Sequence, residues 1–297
     1  MTRIVLTYLT LLLSAFLFLG ASLFAQSSKD SFTQGLLRMT RGQDDQALPF
    51  FNKAIELKPD YLEAYMMRGS TYMRLGDPMN AIIDFDKALE LDPELIKAYN
   101  YRGFCFVERK DLKRAVTDFS KVIELKPDYP NAYESRGYAK SLMNGHAEAM
   151  PDYDRAIVMK PDFHEAYHHR AWSKAALNDT TGAISDFLKA IELDESVAVY
   201  HDDLGFIYLK QKNYKEAQAS FANAIKLDVT FALAYLHRGQ LKLEQGKSKP
   251  ACKDLKVAAE LKNEAAQKLV EQHCVEKETE EKESEKKQDG KKKPESE

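Results

Sequence analysis

His164-Glu165-Ala166-Tyr167-His168 is the stretch of this chain whose residue types and spacing most plainly suit chemistry. It matches H-E-x-x-H, in which two histidines four apart on one helical face hold zinc and the glutamate serves as base. Taken alone it predicts a zinc-dependent hydrolase. Two other sets of residues compete with it. One is a pair of late cysteines, Cys252 and Cys274, with Cys105 far upstream. The other is a row of large aromatics, Phe104, Tyr138, Trp172 and Phe206, which includes the only tryptophan.

The aromatics are 34 residues apart, and so is almost everything else. Tyr65, Arg68-Gly69, Tyr72, Ala81, Asp84-Phe85, Ala88 and Pro93 are followed at that step by Tyr99, Arg102-Gly103, Phe106, Ala115, Asp118-Phe119, Val122 and Pro127. The next step gives Tyr133, Arg136-Gly137, Ala149, Asp152-Tyr153, Ala156 and Pro161. Seven copies fill residues 28–265, beginning at 28, 62, 96, 130, 164, 198 and 232. Tyr65, Gly69 and Tyr72 share one face of a first helix, and Ala81, Phe85 and Ala88 share one face of a second. Gly76-Asp77-Pro78 turns between them, and Pro93 ends the pair because proline disfavours helix in the residue before it. Each copy is therefore a helical hairpin that buries its apolar faces only against the next copy.

This template absorbs most of the zinc motif. Ala166-Tyr167 is the Ala-Tyr pair that copies two, three, four and seven also carry, and Glu165 matches Glu63. Only the two histidines are left over, with no third ligand marked. The hydrolase is the lesser reading, and no metal or cofactor is expected.

The period and its residues resemble the tetratricopeptide repeat (TPR) family. The resemblance implies an all-α fold, an α-solenoid (superhelix) of about seven 34-residue helix-turn-helix units, with a closing helix over 264–275. In that family the face carrying the ninth position of each copy lines a concave groove that binds peptides. Phe104, Tyr138, Trp172 and Phe206 are then anchors, and the varied fifth position beside them, Asn100, Glu134, His168 and Asp202 with Met66 and Leu236, sets specificity. Packing of the aromatics on the neighbouring first helix is the other reading of the row, and the two are compatible. Members that clamp a C-terminal carboxylate place Lys and Asn at these positions, a pattern only Asn100 resembles. The function implied is a non-enzymatic scaffold for a protein or peptide.

Comparison among the copies supplies an internal test. Arg68, Arg102, Arg136, Arg170 and Arg238 share one offset, and Asp84, Asp118, Asp152, Asp186 and Asp254 share another in the same copies. Copy six loses both, to Leu204 and Ser220, and copy one has Gln34 and Phe50. Joint loss predicts a charge pair inside each hairpin, because a half-buried arginine without its carboxylate is expensive. Glycine at the eighth position, in every copy but the fifth, predicts close approach between paired helices. The net charge of −3 offers no basic footprint for nucleic acid.

The chain begins with Arg3, an apolar run from Ile4 to Ala25 and small residues near Ala21-Ser22, the layout of a secretory signal over 1–25. A retained membrane anchor is the alternative, because the run is long enough to span a bilayer, and it would make the protein a membrane-anchored assembly factor. Either way the repeats are expected outside the cytoplasm, periplasmic or secreted. The segment from Ala251 to Cys274 resembles the terminal unit of secreted bacterial TPR proteins. Cys252 and Cys274 stand about equally far from the turn before the closing helix, which predicts a disulfide in an oxidising compartment. Two unrelated thiols are the alternative. Cys105 is expected to stay a thiol, and residues 276–297, rich in Glu and Lys, to form a disordered tail.

Overall fold

The computed structural model describes residues 27–274; the expectations for the signal or anchor and for the charged tail fall outside them. Among the described residues there are fifteen helices and no strand. They form two compact units, one ending at Met159 and the other beginning at Lys160. The first holds α1 (27–40), α2 (Asp44–Leu57), α3 (Leu62–Arg74), α4 (Pro78–Leu91), α5 (Ile96–Glu108), α6 (Leu112–Leu125), α7 (Pro130–Leu142) and α8 (His146–Met159). The second holds α9 (His164–Ala176), α10 (Thr180–Leu193), α11 (Ala198–Lys210), α12 (Tyr214–Leu227), α13 (Ala232–Glu244), α14 (Ser248–Glu260) and α15 (Glu264–His273). From α2 to α8, and again from α9 to α15, each helix packs on the next in chain order. This is an α-solenoid, and its hairpins begin where the sequence repeat begins.

In copies one to four and six the eighth-position glycine lies against a ring rather than a facing backbone; in copy seven it lies against Leu255, and in copy five Ala171 replaces it. A Cβ built on Gly103 would stand 2.8 Å from Phe119 Cε1, and one on Gly69 2.8 Å from Phe85 Cε1. Both rings belong to the second helix of the same copy, so the aromatic fills the inside of its own hairpin rather than the gap between copies. Phe51, Phe85, Phe119, Tyr153, Phe187 and Phe221 are all fully buried. Each such side chain contributes about 1.5–3 kcal/mol of apolar burial.

The arginines and aspartates pair as the joint loss predicts. Arg102 Nε and Nη2 donate to Asp118 Oδ2 and Oδ1 at 2.8 and 2.7 Å. The same two-pronged contact joins Arg68 to Asp84, Arg136 to Asp152, Arg170 to Asp186 and Arg238 to Asp254. Burial pushes the Asp84 and Asp118 carboxyls up, and the facing guanidinium draws them back. In copies four, five and seven a lysine joins the aspartate: Lys140, Lys174 and Lys242 lie 2.7, 2.8 and 2.6 Å from it.

Two kinds of turn alternate. Inside each hairpin one residue takes the left-handed conformation: Gly42, Gly76, Lys110, Asn144, Asn178, Lys212 and Gly246, at φ from 61° to 72°. Between copies, Tyr65, Tyr99 and Tyr133 hydroxyls each donate to the proline carbonyl six residues upstream, at 3.2 Å. In copy six His201 stands where the tyrosine would, with Nε2 3.3 Å from the Glu195 carbonyl.

The turn into α15 is of the first kind. Lys262 has φ 65°, and the Asn263 side chain caps α15 by accepting from Ala266 N–H. So α15 lies on α14 as the second arm of a hairpin lies on the first. It buries Ala266 and is bonded to α14 through the Cys252–Cys274 disulfide, with Cα atoms 5.6 Å apart. Cys105 is a buried free thiol whose ionisation burial pushes up to about 12. At the other end, Leu37 is 41% exposed, whereas its equivalents Thr71, Cys105 and Ala139 are fully buried. Copies two to four have a preceding copy to cover that position.

Candidate functional site

Positions five, six and nine of the first helices form one face, because they fall within about 100° of helix rotation. In the first unit that face includes Phe104 on α5, 40% exposed and edge-on to Phe119 with centroids 5.3 Å apart. Tyr138 and Glu134 on α7 are half-buried. Asn100 departs from the expectation of an exposed specificity residue. It is 9% exposed and its Oδ1 has no hydrogen-bond partner. The reason is rotational: position five leans toward the neighbouring first helix, where Met66 and Leu236 are buried too.

In the second unit the face is built on α9, α11 and α13. Trp172 is half-buried, edge-on to Phe187 at 5.7 Å, and 6.1 Å from Phe206. Phe206 in turn lies 5.0 Å from the His237 ring. Each aromatic thus packs on a neighbour and keeps part of its surface in solvent, so packing does not close the row. Val199 and Leu233, at position two of their copies, are 37% and 42% exposed and extend the apolar strip.

Asp202 is the second correction. It is 1% exposed, and its carboxylate faces His237 Nδ1 at 3.0 Å, so it joins α11 to α13 and is closed to a ligand. Burial pushes its carboxyl up; His237 opposes this and the neighbouring Asp203 charge adds to it. Asp203 and His237, at position six, escaped the sequence reading. His168 Nε2 meets Asp203 Oδ2 at 2.7 Å, and Trp172 Nε1 donates to the same oxygen at 2.9 Å. Both imidazole–carboxylate contacts run from position five of one copy to position six of the next. The sequence separation of 35, one more than the period, is the signal that would have found them.

The same contacts account for the histidines of the zinc motif. His164 Nδ1 lies 2.8 Å from the Tyr200 hydroxyl, and the His168 ring stacks on Tyr200 with centroids 4.6 Å apart. Both rings are spent on joining α9 to α11. Among the described residues no three His, Cys, Asp or Glu side chains are grouped to hold a metal ion.

Sequence profiles of the tetratricopeptide repeat match residues 32–61, 62–95, 164–197 and 198–230. The chain is a tetratricopeptide repeat protein. Solved structures agree on the fold. A tetratricopeptide repeat protein from Parabacteroides merdae ATCC 43184 is 18% identical, with TM-score 0.72 over 83% of this chain and 98% of that one. MamA is 27% identical, with TM-score 0.54 over 59% of this chain and 96% of its own. Pseudomonas aeruginosa pilF is 16% identical, with TM-score 0.60 over 74% and 99%. No curated protein matches the chain.

Proposed function

We propose that the protein is a non-enzymatic scaffold acting outside the cytoplasm, which binds a protein or peptide on the position-nine face of its first helices. The observation that carries this reading is the row of aromatics at position nine. Phe104 is 40% exposed although edge-on to a core ring, and Val199 and Leu233 lie open on the same face of their helices. Large apolar side chains held rigidly and left half in solvent are the groups that anchor partners at interfaces. A scaffold also suits the histidines, whose nitrogens are engaged between helices rather than gathered on one point. Export is supported by the apolar run after Arg3 and by the Cys252–Cys274 disulfide, which persists in oxidising compartments.

Photo-crosslinking tests the face. A benzophenone side chain at Phe206 should capture a defined partner in cells, and one at Ile83, 57% exposed on a second helix, should not. Equal labelling from both positions would overturn the assignment. The N-terminus of the mature protein tests export: a start near Gln26 means a cleaved signal, and an intact Arg3 with membrane-bound protein means an anchored assembly factor. Peptide hydrolysis lost in His168→Ala would instead restore the hydrolase.

A further inference from the structure

Copy six is held differently from its neighbours. It lacks the guanidinium–carboxylate pair, with Leu204 and Ser220 buried in its place. Its first helix, α11, carries two adjacent carboxylates that point in opposite directions along the array. Asp203 reaches back to His168 of copy five, and Asp202 reaches forward to His237 of copy seven. The Asp203 charge adds to the cost of ionising Asp202. Imidazole is the side chain whose charge ordinarily changes between about pH 5 and 8.

We propose that α11 is a pH-responsive joint: acidification tightens it against α9 and α13, and alkaline conditions loosen it. With neutral rings, one buried and one half-buried like charge sit side by side and are met by uncharged N–H donors. With protonated rings, each carboxylate gains a cation at hydrogen-bond distance, and the α11 pair of charges is neutralised. The surrounding groups do not reverse this. His168 is also met by Tyr200 of α11 and Phe187 of α10, with His169 of its own helix 5.2 Å away. Its helix mate His164 faces Tyr200, Glu165 and, more distantly, Asp194. His237 is met by Phe206 of α11 and Phe221 of α12. The nearby cations are engaged elsewhere: Arg170 and Lys174 on Asp186, Arg238 and Lys242 on Asp254, and Lys210 over the Phe206 ring. The joint carries Phe206 and holds Trp172 of α9 through Asp203, so, resting on the binding face proposed above, it sets the geometry of the anchors in the second unit.

The test needs no partner. Trp172 is the only tryptophan and shares its carboxylate oxygen with His168, so its emission reports on the contact. In the full chain, emission should change sigmoidally between about pH 8 and pH 5. The change should vanish in His168→Gln. Amide exchange of α11, taken relative to α5 in the same sample, should slow several-fold over that range. Asp203→Asn asks the same question from the other side if His168→Gln folds poorly. A wild-type emission that does not titrate, a titration that survives both variants, or α11 protection that tracks α5 at every pH would each overturn the joint. Failure to crosslink at Phe206 would leave it standing.

Discussion

Arg102 and Asp118, sixteen residues apart, close one helical hairpin through two parallel N–H···O bonds, with the arginine side chain 19% exposed and the aspartate 5%. In copy three Phe106 stands where copies four, five and seven supply a lysine, so Arg102 is the cation hydrogen-bonded to Asp118, while its other nitrogen bridges Asp86 of the preceding copy. Replacing Arg102 with leucine strands a buried carboxylate and should cost about 1–3 kcal/mol in a denaturant titration. Asp118→Ser made together with it should recover part of the loss, since Leu204 and Ser220 are that combination. Arg136→Leu should cost less, because Asp152 keeps Lys140. A double variant weaker than the sum of the singles would refute the pairing.

The same variant should respond to pH with a definite sign. Burial already holds Asp118 above its usual range in the folded state, and losing Arg102 removes the group that draws it down. A carboxyl raised by folding takes up a proton on folding, so stability grows as pH falls through the folded value. The deficit of Arg102→Leu against wild type should therefore be smaller at about pH 4 than at pH 7. A deficit that widens on acidification would mean the carboxylate has another cation.

Lys110 and Lys212 hold left-handed backbone at φ 61°, where copies one, two and seven use glycine. A Cβ there costs about 1–2 kcal/mol, partly offset by the extra chain entropy glycine loses on folding. Lys110→Gly and Lys212→Gly should each raise stability by up to about 1 kcal/mol, read as a higher melting temperature. Destabilisation by either would show that the lysine side chain contributes contacts that outweigh the strain.

The Cys252–Cys274 bond closes a loop of 22 residues, which the chain-entropy account values at about 3 kcal/mol. Cys274→Ser should lower protection of α15 and α14 in hydrogen exchange and leave the first unit unchanged. Unreduced protein in which both cysteines alkylate would remove the bond and weaken the case for export.

Trp172 is half-buried with its indole N–H on Asp203. Neutral acrylamide should quench its fluorescence readily and iodide less well, because Asp203 repels an anion. Asp203→Asn should bring iodide closer to acrylamide. A tryptophan dark to both quenchers would be core, and the binding face would lose its anchor in copy five.

What the sequence determined alone is whatever the repeat writes several times over. The hairpin, its turns and its apolar faces recur at the period, and the Arg–Asp pairs announce themselves because copy six drops both members together. The disulfide was legible because the two cysteines flank one turn at matched distances. The tertiary structure decided how neighbouring first helices are rotated against each other, which no local pattern encodes. That rotation turns Asn100 and Asp202 inward, although their spacing had placed them in a specificity row. It brings His168 to Asp203 and Asp202 to His237, contacts between residues 35 apart on helices whose crossing is set by the bulk packed beneath them. It also uses the histidines of an apparent zinc motif as ties between helices. Position along one helix follows from 3.6 residues per turn, whereas position across two helices follows from how their side chains interlock, and that is settled only when both are packed.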